Sequence, residues 1–289
     1  MPDTAPSLPF TSEQIEAALL KRHSTRRFDG EPFSQETLSQ AVAFAGSVEP
    51  LCQENQFDCL VKSTQEINIK EVVGAYGNII NPPHFLAPYL IGERYPLTDL
   101  GYRAAQMVIF LTAAGISTCF IGTIAHQKEA CQMLALPPGS VFGAAVLIGK
   151  PGHGFTNQTI ESLIHNFSTG DKRLPLEAIF FDQYFDYPQM PPEEIAHLIR
   201  FARRSPSAVN AQPWRFLLRD RLYLFATRQN PRYGKNFDYR YYDAGICMAH
   251  IHLAMRAAGK EHHWELLPPD TPGLPEHPAE LEPIARLNM

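Results

Sequence analysis

The chain of 289 residues aligns with itself at two offsets. A shift of 157 sets Phe28-Asp29 on Phe185-Asp186, Glu36 on Glu193, Leu38 on Ile195 and Phe44-Ala45 on Phe201-Ala202. A shift of 144 sets Gly101 on Gly245, Ala105 on Ala249 and Ala113-Ala114-Gly115 on Ala257-Ala258-Gly259. Helical faces resemble one another by chance, but two alignments in the same order, with matching glycines at both ends of a long helix, point to duplication of one unit. The offsets differ by 13, as a shorter loop in the second copy would produce. The expected division is a first repeat over 1–178 and a shorter second repeat over 179–289.

Helix and strand patterns are mixed in both parts, so the expected class is α+β. Thr11, with Gln14 three residues on, caps a helix carrying Ile15, Ala18 and Leu19, and Ser34 caps a second with Leu38, Ala41, Val42 and Ala45. A long amphipathic helix is expected over 99–115, closed by Gly115. The apolar run 142–148 is short and bounded by glycine and proline, the mark of a buried strand. The second half repeats these themes, with a helix from Pro192, strands over 216–218 and 222–227, and a helix over 243–259. The composition, 45% hydrophobic and 19% charged, belongs to a folded chain rather than a disordered one. With 25 Lys plus Arg against 30 Asp plus Glu, nucleic acid is not an expected partner, and any anion site must be local. Five cysteines without CxxC or Cys/His spacing argue against disulfides and structural zinc, and fit a reducing, cytoplasmic setting. The start lacks a signal-peptide pattern, and the longest apolar stretch, 107–116, is too short for a membrane span.

Two short segments carry chemistry. In Lys21-Arg22-His23-Ser24-Thr25-Arg26-Arg27-Phe28, an extended chain would put Arg22, Ser24 and Arg26 on one face and His23 on the other. Two guanidiniums with a hydroxyl between them suit a phosphate. The competing reading is a solvated basic loop after a helix, favoured on spacing alone. In Ser205-Pro206-Ser207-Ala208-Val209-Asn210-Ala211-Gln212-Pro213-Trp214-Arg215-Phe216, small polar residues and two prolines make a rigid loop offering hydroxyl, amide and backbone groups to a planar polar ring. A capped connection over a buried Trp214 is the plainer alternative, but a bare turn does not need Ser, Asn and Gln together.

KRHSTRRF and SPSAVNAQPWRF together resemble the paired signatures of the FMN-dependent nitroreductase family. Leu100–Gly115 followed by Gly115-Ile116-Ser117-Thr118-Cys119-Phe120-Ile121-Gly122 resembles that family's central helix and its G-L-G-T-C-W-x-G turn. Phe142–Pro151 is similar to its strand ending in a G-Y-P turn, and Asp171-Lys172-Arg173-Leu174-Pro175-Leu176 to its basic tail. Gly74-Ala75-Tyr76-Gly77 with Pro83-His84-Phe85 looks like the subgroup built as a fused pseudo-dimer. The resemblance spans most of residues 12–260. Family members are α/β sandwiches that act as dimers, with each flavin between a basic segment and central turn of one subunit and the SPSxxN loop of the other. At the shift of 157, Arg22, His23, Ser24 and Arg26 fall opposite Ile179, Phe180, Phe181 and Gln183, while Ser47–Gln53 stand where SPSAVNA would sit. Each half keeps what the other lacks. The resemblance therefore implies two tandem half-repeats forming an intramolecular pseudo-dimer, monomeric, with one surviving site.

The roles it implies are these. Arg22, Ser24 and Arg26, with His23 in the same segment, take the FMN phosphate and flavin edge, joined by Lys172 and Arg173. Pro206, Ser207 and Asn210 line the ring from the second copy, and Ile121 and Gly122 lie near flavin N5. Hydride from NADH or NADPH passes through FMN to a nitroaromatic, quinone or similar small-molecule acceptor, with no dedicated acid or base. Phe120 in place of Trp, Asp171 in place of a Lys, and Ala208 in place of a second Ser depart from the pattern. Alternatives on the same fold are another flavin chemistry, such as a dehydrogenase or reductive dehalogenase, or a flavin-binding sensor or scaffold without turnover. His250, His252, His262 and His263 read as helix-lining or surface residues rather than metal ligands, Cys119 as a small buried thiol, and 149–154 as a loop.

Overall fold

A computed structural model describes residues 8–73, 79–152, 173–229, 238–268 and 270–289. The chain opens with α1 (Ser12–Lys21) and α2 (Gln35–Ala43). Thr11 caps α1 reciprocally with Gln14, and the Ser34 hydroxyl accepts the Thr37 N–H at the start of α2. Then follow β1 (Gln56–Ser63), α3 (Ile69–Val73), β2 (His84–Ile91), α4 (Pro96–Ala113), β3 (Ser117–Gly122), α5 (Gln127–Met133), β4 (Ser140–Val141) and β5 (Ala144–Gly149). The rest comprises β6 (Phe180–Asp182), α6 (Glu193–Arg203), β7 (Trp214–Leu218), β8 (Leu222–Thr227), α7 (Arg240–Ala257), β9 (His263–Leu266) and β10 (Leu281–Asn288). Among the described residues, no helix is long and apolar enough to cross a membrane.

The strands form two sheets. The first runs β1-β2-β5-β3 with β4 beside β2, and the second runs β6-β7-β8-β10-β9. The order β7-β8-β10-β9 thus follows β1-β2-β5-β3, and every pair among these strands is antiparallel; β6 alone is parallel to its neighbour. Alternation places Leu86 and Leu90 of β2 in a main core with α4, α7 and the inner face of the second sheet. Phe85 and Ala87 face a second core with Phe28, Cys119, Ile121 and residues of α3 and α5.

α4 and α7 pack face to face through glycine. A Cβ on Gly101 would run into the Tyr242 backbone, and one on Gly245 into the backbone of Thr98 and Tyr102. Only residues without side chains let the two helices approach this closely.

One expectation needs correction. Residues 60–98 read from the sequence as loop, yet they hold the end of β1, α3, β2 and the start of α4. β2 is buried along almost its whole length and so lacks polar alternation, and Pro88 within it masks the strand pattern. The stretch opposite Arg22–Arg26 at the shift of 157 also takes a different place: Phe180–Asp182 line β7, whereas Ser24 bridges Thr118 on β3. Phe180 is fully buried there, so an apolar strand stands at those positions rather than a basic one.

Candidate functional site

α1 stops at Lys21, and Arg22 turns the chain outward while its N–H still donates to Ala18 (2.8 Å). The following residues run extended: Thr25 N–H donates to Thr118 O (2.9 Å) and Ile80 N–H to Arg26 O (2.9 Å). This lays the basic segment along β3. Arg22, Ser24 and Arg26 all act on the Cys119 thiol, each favouring its ionised form, although burial outweighs them and pushes the thiol up. His23 is exposed on the other side, with Nδ1 3.2 Å from Lys21 O and Nε2 3.4 Å from the Thr25 hydroxyl.

The Arg22 guanidinium is the centre of a cationic cluster. Its Nη2 donates to Arg204 O (3.5 Å), which also receives Arg173 Nη2 (3.4 Å). Arg173 Nη1 donates to Asn210 Oδ1 (3.0 Å), and the Arg204 side chain donates to Leu20 O. The segment after Arg173 is clamped to the second half, since Leu174 N–H donates to Gln212 Oε1 (2.9 Å) and Arg203 Nε to Leu174 O (2.5 Å). Residues 182 to 188 positions apart in sequence are thereby brought together. Burial, then the like charge of Arg173, lowers Arg22 to about 9, with Arg204 adding to the effect and Cys119 opposing it. Arg22 Nε is buried, with no hydrogen-bond partner among the described residues. A buried guanidinium with cationic neighbours and an unused N–H fits a multiply charged oxyanion such as a phosphate ester.

The wall facing this cluster is the loop 205–212. Val209, Asn210 and Gln212 adopt left-handed backbone angles (φ 47°, 54° and 47°), which cost about 1 kcal/mol or more each and persist only where surroundings impose them. Here the Asp243 carboxylate accepts the Ala208 N–H (3.0 Å) and the Ser207 hydroxyl accepts the Gln212 N–H (3.0 Å). Pro206 is buried and Asn210 is 8% exposed. Sequence reasoning missed Asp243, though a signal was present. It aligns with Asp99 at the shift of 144, and Ala208 aligns with Leu51 at the shift of 157. Leu51 N–H donates to Asp99 Oδ1 (2.9 Å), the matching bond.

At the other end of β3, about 13 Å from Thr118 at strand rise, Ile121 is buried in the second core and Gly122 lies against Tyr239. A Cβ on Gly122 would collide with the Tyr239 hydroxyl, which accepts the Ile124 N–H (2.9 Å). Phe120 meets Tyr242 edge-on at 6.2 Å. Tyr239 and Tyr242 were also missed; Tyr239 aligns with Tyr95 at the shift of 144. The structure thus brings Arg22, Ser24, Arg26, Arg173 and Asn210 to one end of β3, sets Ile121 and Gly122 at the other and turns His23 away. Lys172, Asp171 and Gly74–Gly77 lie outside the described residues.

A second polar cluster lies where the loop 47–53 meets α7. His252 Nδ1 is 2.9 Å from His262 Nε2, and Glu49 pairs with Arg256 and approaches His252 Nε2 at 3.6 Å. Burial lowers both imidazoles to about 4, so both are neutral at pH 7. Among the described residues, no three His, Cys, Asp or Glu side chains are grouped so as to hold a metal ion.

No curated protein matches the chain. Among solved structures, a "putative nitroreductase" of Thermotoga maritima MSB8 superposes with a TM-score of 0.56 at 18% identity, over 99% of this chain and 97% of that one. A nitroreductase with bound FMN from Desulfitobacterium hafniense DCB-2 gives 0.42 at 17% identity, over 49% of this chain and 90% of its own. The NADPH:FMN oxidoreductase of Vibrio harveyi gives 0.40 at 16%, over 48% and 70%. The model of the family described as "Putative TM nitroreductase" matches residues 14–255. That match spans most of the chain, which therefore belongs to this nitroreductase family.

Proposed function

We propose that the chain is an FMN-dependent oxidoreductase of nitroreductase type whose single site is shared between two tandem halves, divided near residue 178. The observation that carries this reading is Arg22: a buried guanidinium, crowded by Arg173 and Arg204, with an N–H that no group among the described residues accepts. The bond from Arg173 to Asn210 supports the shared site, because it joins the tail of the first half to the loop of the second. The like order of the two sheets and the matching bonds of Asp99 and Asp243 support the tandem halves.

FMN, when bound, supplies hydride transfer from NADH or NADPH to a small-molecule acceptor. Arg22, Ser24, Arg26 and Arg173, with Lys172, hold the phosphate. Pro206, Ser207 and Asn210 line the ring, kept in place by Asp243 and Gln212. Ile121 and Gly122 stand along the ring edge, where backbone N–H groups favour negative charge. No side chain is assigned a proton-transfer role. One observation favours a second reading, a flavin-binding protein without turnover: Tyr239 already occupies the space over Gly122.

The test is the visible spectrum of the purified chain, with flavin quantified per chain after denaturation, followed by NADH and NADPH in the same cuvette. Bound FMN bleached by either nucleotide is the expected result. Bound FMN that neither reduces selects the second reading, and a colourless chain that FMN does not reconstitute overturns both.

A further inference from the structure

β1 and β7 hold like places in the two sheets, but only β7 is covered. β1 precedes β2-β5-β3 as β7 precedes β8-β10-β9. On its far side β7 carries β6: Phe216 N–H donates to Ile179 O (2.8 Å), and Leu218 O accepts the Gln183 N–H (2.8 Å). Among the described residues, no strand lies on the far side of β1, which pairs with β2 alone. Phe57, Leu60 and Val61 are half-buried along it. An open edge of this kind is a template for another extended chain.

Cys59 and Val61 align with Phe216 and Leu218 at the shift of 157. Alternate residues of a strand present their N–H and C=O to the same edge, so Cys59 and Val61 are the residues that face outward. The Cys59 N–H is already taken. Its own neighbour Asp58 accepts it at Oδ1 (2.7 Å), and Asp58 Oδ2 accepts the Tyr89 hydroxyl (3.2 Å) from β2. The carboxylate is thus held at the edge from two sides. Arg215, which aligns with Asp58, does nothing of the kind: its guanidinium donates to the carbonyls of Gln212 (3.2 Å) and Trp214 (2.6 Å), and the Phe216 N–H stays available to Ile179.

We propose that Asp58 closes the outer edge of β1 against a second copy of this chain. The occupant follows from the strand itself. Two β1 edges meeting antiparallel about Leu60 would set Cys59 opposite Val61 in both directions, so every outward N–H of this pair finds a carbonyl. Leu60 would cover its own copy on the two-fold axis, and Asp58 would fall opposite Lys62. An exposed ion pair of that sort is worth little, whereas an occupied Cys59 N–H with a carboxylate in the path of the incoming strand removes the central bonds. No part of this depends on a bound flavin.

The experiment is light scattering across the gel-filtration peak of the full chain over a range of concentrations. Asp58→Val should double the mass found for wild type as concentration rises. Asp58→Asn, whose amide oxygen can still accept the Cys59 N–H, should keep the wild-type mass. Adding Val61→Pro to Asp58→Val should restore the wild-type mass, because it removes an outward N–H and spares the bonds to β2. If Asp58→Val does not fold, Asp58→Ala takes its place. An apolar variant with the wild-type mass at every concentration overturns the proposal, and so does a doubled mass that survives Val61→Pro. A wild type whose own mass falls on Val61→Pro would mean that the edge is already paired, and overturns it equally.

Discussion

A buried cation that lacks a carboxylate partner lowers stability unless a ligand supplies the counter-charge, and among the described residues Arg22 has no such partner. Two opposite effects follow from one substitution. Arg22→Met should raise the stability of the flavin-free chain by about 1–3 kcal/mol, because it removes an uncompensated buried charge at similar volume. It should also weaken FMN at least tenfold while sparing riboflavin. Denaturant midpoints and titrations on the same preparation check both; a destabilised flavin-free chain would show that Arg22 is structurally paired. The pair His252 and His262 makes a prediction of the other kind. Their folded values of about 4 lie below the ordinary imidazole value of 6.5. The unfolded chain therefore binds more protons between these limits, and stability must fall as pH drops from about 6.5 towards 4. For His252, almost fully buried, the full loss is on the order of 3 kcal/mol. His252→Gln should flatten the dependence of unfolding free energy on pH in that window, and an unchanged slope would count against it.

Among elements, the loop 205–212 depends on α7 more than on its own residues. Removing the Asp243 carboxylate frees the Ala208 N–H and with it three left-handed residues. Asp243→Ala should cost about 1–3 kcal/mol and weaken flavin binding. Asp99→Ala, its counterpart, should cost more, about 3–5 kcal/mol, since Arg103 donates to both Asp99 oxygens and would be left buried alone. It should nonetheless spare flavin affinity in whatever fraction stays folded, and thermal melts with and without FMN separate the two cases. Elements with local signals were legible: the caps of α1 and α2, the glycine after α4 and the run of β8, expected over 222–227 and found as Leu222–Thr227. β2 and β10 were not. β2 has no polar face to reveal its period, and β10 absorbs Pro283 at a register shift that breaks the pattern. The cationic cluster was half legible. Arg22, Ser24 and Arg26 stand close in one segment, but Arg204, just past the end of α6, carries no sign in sequence of the guanidinium its carbonyl receives. Asp243 and Tyr239 were visible only as matches within the internal alignment.

On the scale of the molecule, α4 and α7 meet through Gly101 and Gly245 in a reciprocal contact: each glycine lies against the backbone three residues before the other. This is how a two-fold interface is built, residue i on j and j on i. Gly101→Ala and Gly245→Ala should each destabilise by about 3 kcal/mol or more, because the obstacle is backbone that no rotamer change can move; a loss below 1 kcal/mol would mean the helices can separate freely. The proposed pairing of two halves would ordinarily bring a second ligand site. The place expected for it is the loop 47–53 against α7, and there Glu49 pairs with Arg256 while His252 and His262 fill the interior. That cluster holds one cation already neutralised by Glu49 and two neutral imidazoles where the phosphate of a flavin would need free cations, so under the proposed fused arrangement the chain should bind about one FMN rather than two. Titration of flavin-stripped chain of known concentration decides it. Saturation near one equivalent, lowered in affinity by both Arg22→Ala and Asn210→Ala despite the 188 positions between them, is the expected outcome. Saturation near two equivalents, or indifference to either substitution, would return the flavin to some other surface of the fold.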